Sequence, residues 1–425
     1  MSRLMRYAIL PAVFVLLLFA GWRVVGQMQA ERHAQTEPER ALRWRPNHPG
    51  ALLVLAERQL AKGDTSAAQA TTRRLLAHEP LQGEAFRVLA EAADRQGRRA
   101  EAFRLYRIAE HRAPRDLQAR AWLTQRYLEM GEYPQALAQI DRILRMSPQR
   151  ARSIHPLLVR LAQDPRFAEA LARALASGPP WRPGMLEALR DPKAGNPVAA
   201  GRVMQALQDQ GGLSPVEYAN WLDSLIAQGR WGEAYARWAG AVAKPGDRLP
   251  QAYNGDFAAR PSGSGFDWRL GRVPGVLLEF ESAAGSSGQA AYLRFLDRRV
   301  PSAGLELPML LSPGHYRLAL RMRAQSLRSE MGLQWIIACA GAGGEVARIE
   351  SIDGSFGWRE FEADFQIPSS GCPGQWLRLV NPVPAGAAQR VVGELWVDDV
   401  RIVVQGRKEP AAEAGQAVAS PRRLH

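Results

Sequence analysis

An interval of 34 residues constrains this chain more than any other feature. Gly63, Gly97 and Gly131 keep it, and so do Pro46, Pro80, Pro114 and Pro148. Ala51, Ala85 and Ala119 repeat in the same phase, as do Leu55, Leu89 and Leu123, and Ala68, Ala102 and Ala136. A fixed period of this length, with glycine between two helical stretches and proline closing the second, is the signature of a helix–turn–helix solenoid. Each unit buries its apolar face only against its neighbours, and the stack exposes a surface suited to holding another chain. The period points to docking rather than chemistry.

The 425 residues are too many for one core, so two or three domains are expected. Net charge is +13, distributed as +3 over 1–26, +6 over 27–150, +3 over 151–250, −1 over 251–405 and +2 over 406–425. Nearly all of it is arginine, and the only lysines are Lys62, Lys193, Lys244 and Lys408. The arginines are interleaved with Glu and Asp at helical spacing, which makes solvated faces and i,i+4 pairs. No nucleic-acid motif accompanies the charge, so nucleic acid is not an expected partner.

Arg3 and Arg6 precede Tyr7–Trp22, which carries no charge, and Arg23 and Val24–Gly26 follow. A membrane-crossing helix needs about twenty residues. Tyr7 to Gly26 supplies them if Arg23 snorkels towards the headgroups. A cleaved signal peptide is the alternative, but the best cut, after Leu18–Phe19–Ala20, lacks a small residue at its third position back. The expectation is an uncleaved single-pass anchor over 1–26, with the positive N-terminus inside and the bulk of the chain outside. The only cysteines, Cys339 and Cys372, read as one disulfide of a non-cytosolic domain, with two buried thiols as the alternative.

Residues 27–46 read as a short lead-in helix closed by Pro46. Three repeats follow, near 49–82, 83–116 and 117–150. The first carries Leu55, Gly63, Ala68 and Pro80. The second carries Phe86, Leu89, Gly97, Ala102, Tyr106, Ala109 and Pro114. The third carries Leu123, Tyr127, Gly131, Tyr133, Ala136, Ile143 and Pro148. This pattern resembles tetratricopeptide repeats. Thr72 and Arg120 depart from it, standing where an aromatic residue belongs. The resemblance implies that the first helix of each unit lines a protein-binding groove. By phase, Glu57, Arg87, Glu91, Arg95, Trp122 and Gln125 line it and would take an extended, charged peptide with one aromatic contact. Residues 151–250 remain helical without the strict period, and are expected to continue and cap the solenoid.

The texture changes at Lys244–Pro250. From 251 to 405, short apolar runs alternate with Gly, Pro and Ser, which predicts an antiparallel β-sandwich. The runs are Val276–Phe280, Ala291–Phe295, Tyr316–Met322, Leu333–Cys339, Arg359–Phe365, Trp376–Val380 and Leu395–Val404. The last residues, 406–425, have the composition of a disordered tail. An opening Asn254–Phe257, a central Pro313–Arg317 and a closing Asp398–Val400 resemble the jelly-roll carbohydrate-binding modules attached to polysaccharide-active enzymes. That resemblance implies aromatic rings stacked on sugar faces, with Trp335, Trp358 and Trp268 as candidates. Trp376 and Trp396 fit a core. It also implies a structural calcium held by Asp256 and Asp398. The alternative is that Asp256 turns the chain through an Asx bond and Asp398–Asp399 blunt an edge strand.

No enzyme signature is present: neither a serine elbow, nor a metalloprotease helix, nor a phosphate loop. No catalytic residue is assigned, and no cofactor beyond the calcium. The fold expectation is α then β: a transmembrane helix, an α-solenoid of tetratricopeptide-like hairpins, and a jelly-roll sandwich. Chains with this order resemble repeat proteins found with bacterial exopolysaccharide and O-antigen assembly systems. This implies a non-catalytic scaffold on the periplasmic side of the inner membrane, with protein partners, the membrane and polysaccharide as its contacts. A general envelope scaffold that binds no carbohydrate is the alternative.

Overall fold

A computed structural model describes residues 3–191, 197–244, 246, 248–286, 288–341, 343–385 and 387–405. The expected tail at 406–425 lies outside the described residues. The chain forms two compact units that divide between Gly212 and Leu213.

The first unit begins with α1 (Arg3–Ala34), one unbroken helix of 32 residues. Its stretch Val13–Ala34 has a mean hydropathy of 1.5 over its most apolar window, and is long and apolar enough to cross a membrane. Residues 13–25 are all exposed. The last turns behave differently: Ala30 and Ala34 are buried against Ala41 and Ala51. The separate lead-in helix expected over 27–46 is therefore the end of α1 plus the short α2 (Pro38–Trp44). The reason is local. No proline stands between Gly26 and Glu37 to stop the helix, and the break comes just before Pro38, where a helical backbone clashes with the proline ring.

Three helical hairpins follow: α3 (Pro49–Ala61) with α4 (Thr65–His78), α5 (Gly83–Arg95) with α6 (Arg99–Arg112), and α7 (Leu117–Glu129) with α8 (Tyr133–Met146). Each turn holds its glycine in the left-handed region, with φ of 85° at Gly63, 76° at Gly97 and 72° at Gly131. Asp64 and Asp116 cap their helices through side-chain oxygens. Small residues at the seams let the helices approach: Ala90, Ala93, Ala102, Ala109 and Ala119 are fully buried around Tyr106 and Leu123. Each fully buried Leu or Val adds about 1.5–3 kcal/mol. The two departures from the repeat pattern are satisfied differently. Thr72 is buried and donates to the Ala68 carbonyl at 2.7 Å. Arg120 is also buried, and donates to the Pro114 carbonyl at 2.8 Å, to Gln139 Oε1 at 2.7 Å and to Glu110 Oε1 at 3.3 Å. A polar network thus fills the place of an aromatic ring. Helices α9 (Ala151–Leu161), α10 (Pro165–Ala176), α11 (Arg182–Arg190) and α12 (Pro197–Asp209) complete the unit.

The second unit opens with α13 (Pro215–Ala227) and α14 (Trp231–Val242). These helices fall in the same unit as the β-sandwich rather than with the solenoid they were expected to finish. Trp231 packs edge-on against Phe266 and Trp376, and Trp238 against Tyr253. Gly374 admits the Trp231 ring so closely that an added Cβ would lie 2.1 Å from it.

Among the described residues ten strands follow: β1 (Arg269–Leu270), β2 (Val276–Glu281), β3 (Ala290–Arg299), β4 (Ser302–Met309), β5 (Gly314–Ser329), β6 (Gln334–Cys339), β7 (Glu345–Arg348), β8 (Gly354–Ile367), β9 (Gln375–Val380) and β10 (Arg390–Val404). They form two antiparallel sheets, in the orders β1-β4-β9-β6-β7 and β2-β3-β10-β5-β8. The inner faces enclose one apolar core that includes Trp268, Leu305, Leu318, Trp335, Leu377 and Leu395. Cys339 and Cys372 are joined by a disulfide.

Candidate functional site

Two surfaces carry the residues expected to bind partners. The first is the first-helix face of the hairpins. Glu57, Glu91 and Gln125 stand one repeat apart on α3, α5 and α7. Arg87 lies between them and is buried. It donates to Asp116 Oδ2 at 2.7 Å and to Glu57, and lies 3.9 Å from Glu91. Burial works against its charge, but Asp116 and Glu57 outweigh that and lift its pKa above the ordinary arginine range. Arg95 pairs with Glu91 at 2.5 Å and donates to the Leu60 carbonyl. Arg87 therefore ties α3, α5 and α7 together rather than offering itself to a partner, which corrects its expected role.

Trp122 remains partly open. Its Nε1 donates to Asp94 Oδ2 at 3.0 Å, and its ring stacks on Tyr106 at 4.2 Å. Beside it lies a cleft of about 100 Å³ lined by Asp94, Arg99, Trp122, Gln125, Arg126 and Glu129. Gln125 Nε2 donates to Glu129 Oε1 at 3.1 Å. A small recess with one aromatic wall and both charges is what the repeats present.

The second surface is the outer face of the β2-β3-β10-β5-β8 sheet. Strand alternation turns Ala291, Leu293, Leu395 and Val397 into the core, and Tyr292 and Trp396 the other way. The register aligns Glu279, Tyr292, Trp396 and Arg323 in one row across four strands. Tyr292 and Trp396 stack at 5.0 Å, and the Arg323 guanidinium lies 4.7 Å from the Trp396 ring centroid. Trp396 Nε1 donates to Glu281 Oε1 at 2.7 Å, and Tyr292 Oη to Glu394 Oε1 at 2.8 Å. Burial, followed by the hydrogen bond to Glu394, pushes the Tyr292 hydroxyl up to about 12. Further along the face, Arg321 lies 5.5 Å from the Trp358 ring centroid. The β2–β3 loop reaches both: the Ala284 carbonyl accepts from Trp358 Nε1 at 2.8 Å, and the Gly285 carbonyl from Arg321 at 3.1 Å.

These positions revise the sugar-stacking candidates. Trp268 and Trp335 are fully buried and meet edge to face at 6.1 Å, so neither presents a ring to a glycan. Trp268 spends its Nε1 on the Asn254 carbonyl. Trp358 is half-buried on the outer face. Trp396, read from sequence as a core residue, is indeed buried at 7% exposure, but it lies outside the inter-sheet core, on the outer side of β10 against Tyr292 and Arg323. Reading β10 residue by residue, with Leu395 and Val397 inward, would have found it. Trp376 is covered by Trp231 of α14.

Asp256 is exposed, and its Oδ1 accepts from the Ala258 amide at 3.2 Å, which is an Asx turn. Asp398 is fully buried and accepts from the Asp399 amide at 2.7 Å. Among the described residues, no three His, Cys, Asp or Glu side chains gather around one point as a metal site.

No family profile matches the chain. Over 126 residues it is 36% identical to cellulose synthase 2 operon protein C of Komagataeibacter xylinus. That match spans 28% of this chain and only 10% of the relative. Among solved structures, a CBM4 module aligns with 36% of this chain and 99% of its own, at 12% identity and a TM-score of 0.29. A tetratricopeptide-repeat protein of Thermus thermophilus aligns with 52% of this chain and 98% of its own, at 21% identity and a TM-score of 0.24.

Proposed function

We propose that this chain is a non-catalytic scaffold of cell-envelope polysaccharide assembly. It is anchored by the apolar half of α1 with its bulk in the periplasm, holds partner proteins on the first-helix face and contacts glycan on the outer sheet face. The observation that carries the glycan reading is the half-buried Tyr292 ring, backed by the buried Trp396 it stacks on and flanked by Arg323 and by the carboxylates of Glu281 and Glu394. Aromatic rings amid convergent polar groups suit the apolar faces and hydroxyls of sugars. The stretch similar to a cellulose synthase operon protein supports the setting. The disulfide supports an oxidising compartment. Tethering on an anchor raises the effective concentration of whatever is docked.

Affinity electrophoresis of the full chain in detergent, through gels containing cellulose derivatives or acidic exopolysaccharide, tests the glycan contact. Retardation that Tyr292→Ala removes is the expected result. No retardation in any gel leaves the general scaffold reading in its place. An alkaline phosphatase fusion after Gly212 tests the topology and should be active; an inactive fusion reverses it.

A further inference from the structure

On the second helix of the middle hairpin, α6 carries a different surface. A groove of about 540 Å³ has Phe86, Phe103 and Ile108 as its floor and Arg104, Arg107 and Arg112 as its rim, with His111 at one end. No carboxylate lines it. On the first-helix face the arginines are spent on Glu57, Glu91 and Asp116. Here Arg104 and Arg107 have no carboxylate within ion-pair distance among the described residues. Arg112 donates to the Pro80 carbonyl at 2.8 Å and caps the Phe86 ring at 5.3 Å.

We propose that this groove docks an acidic peptide segment bearing an apolar side chain, as a second protein-binding surface apart from the first-helix face. Arg104 and Arg107 stand one helical turn apart, and like charges so spaced repel until an anion lies between them. The apolar floor then rewards a peptide that brings a Leu or Phe along with its carboxylates. The floor suits a side chain better than a sugar. The Phe86 face is already taken by Arg112, and Phe103 meets Tyr127 edge-on at 5.7 Å. Both phenylalanine rings are thus already engaged by neighbours.

The test is fluorescence anisotropy of a labelled peptide alternating Glu with Leu and Phe, titrated with the full chain in detergent. Arg104→Glu with Arg107→Glu should weaken binding at least about tenfold and create a preference for the same peptide with Lys in place of Glu. The charge-matched pair Arg145→Glu with Arg173→Glu, exposed elsewhere on the unit, should leave binding within about twofold. Circular dichroism melts confirm that both variants fold, and Arg104→Gln with Arg107→Gln replaces the reversal if it does not. Four outcomes overturn the proposal. One is no peptide binding by the wild type, and another is equal weakening by the control pair. The third is undiminished binding by the Arg104/Arg107 variant. The fourth is a wild-type preference for phosphatidylglycerol vesicles or alginate that the same variant loses, which would make this a lipid or glycan face.

Discussion

Trp231 of α14 meets Trp376 of β9 edge to face, with ring centroids 5.6 Å apart and planes at 84°. The aromatic edge carries positive charge and the face negative, so this arrangement adds to the apolar area it buries. A helix that reads as the end of a solenoid is thereby fastened to a sheet. Trp231→Ala should destabilise the second unit by about 3–5 kcal/mol. Denaturant unfolding of the full chain, followed by near-ultraviolet circular dichroism, measures it. A loss below about 1 kcal/mol would show that the hairpin contributes little to the sandwich.

The network that replaces an aromatic ring in the third repeat should be fragile to partial deletion. Glu110 Oε1 accepts from Arg120, from Gln139 at 2.7 Å and from Arg142 at 3.1 Å. Arg120→Leu removes a buried partner of that carboxylate and should cost about 3 kcal/mol. Restoring an apolar pair with Glu110→Leu should recover part of the loss. A double-mutant cycle in urea reads the coupling, and strict additivity would mean that the two groups act independently.

Reduction should weaken the sandwich. The bridge closes a sequence separation of 33 residues. On the chain-entropy account, Cys339→Ser with Cys372→Ser lowers stability by about 3–4 kcal/mol. Thermal melts of the wild type with and without dithiothreitol should reproduce the shift, and identical melts would refute it.

On the outer sheet face, Tyr292→Ala should reduce glycan affinity by about 2 kcal/mol, as expected for a central aromatic contact. Trp335→Ala should instead lower the melting temperature, because that ring is fully buried. Isothermal titration of the full-length variants separates the two effects. Equal affinity loss in both variants would mean that binding merely follows folding.

Mild acid should loosen the first unit through His155. Its ring is buried beside Trp181, with centroids 6.3 Å apart, and burial holds its pKa below the ordinary histidine range. The unfolded state therefore binds a proton at a pH where the folded state does not. The contribution is intact above the ordinary value of about 6.5 and is lost as pH falls through the lower folded value. His155→Gln should flatten that slope in pH-dependent thermal melts, and an unchanged slope would remove His155 as its source.

How far the sequence discloses this molecule depends on which residues carry the information. Gly63, Gly97 and Gly131 announce the hairpins because a left-handed turn and a helix end are local requirements. The long β5 and β10 are legible as apolar runs, because Leu318, Leu320, Leu395 and Val397 alternate into one core. Strand β4 is hidden, since Gly304 and Pro308 break its run and its pairing with β9 is non-local. The tryptophans divide by strand parity and helix cover, which composition does not disclose. Trp268 and Trp335 are internal, Trp396 is buried on the outer side of β10, and Trp376 is roofed by Trp231, 145 positions upstream. The groove on α6 is hidden in the sequence because Arg104, Arg107 and His111 read as an ordinary solvated stripe. Only the spatial lack of carboxylates sets them apart.

The continuity of α1 has a mechanical consequence. Its exposed apolar half and its packed end, where Ala30 and Ala34 lie buried, share one helical register with no swivel between them. Whatever fixes the rotation of the apolar half also fixes the bearing of the repeats. One residue inserted near Gln27 would turn that bearing by about 100° and advance it about 1.5 Å. The hairpins are thus keyed to their mount like the bit of a key to its shank.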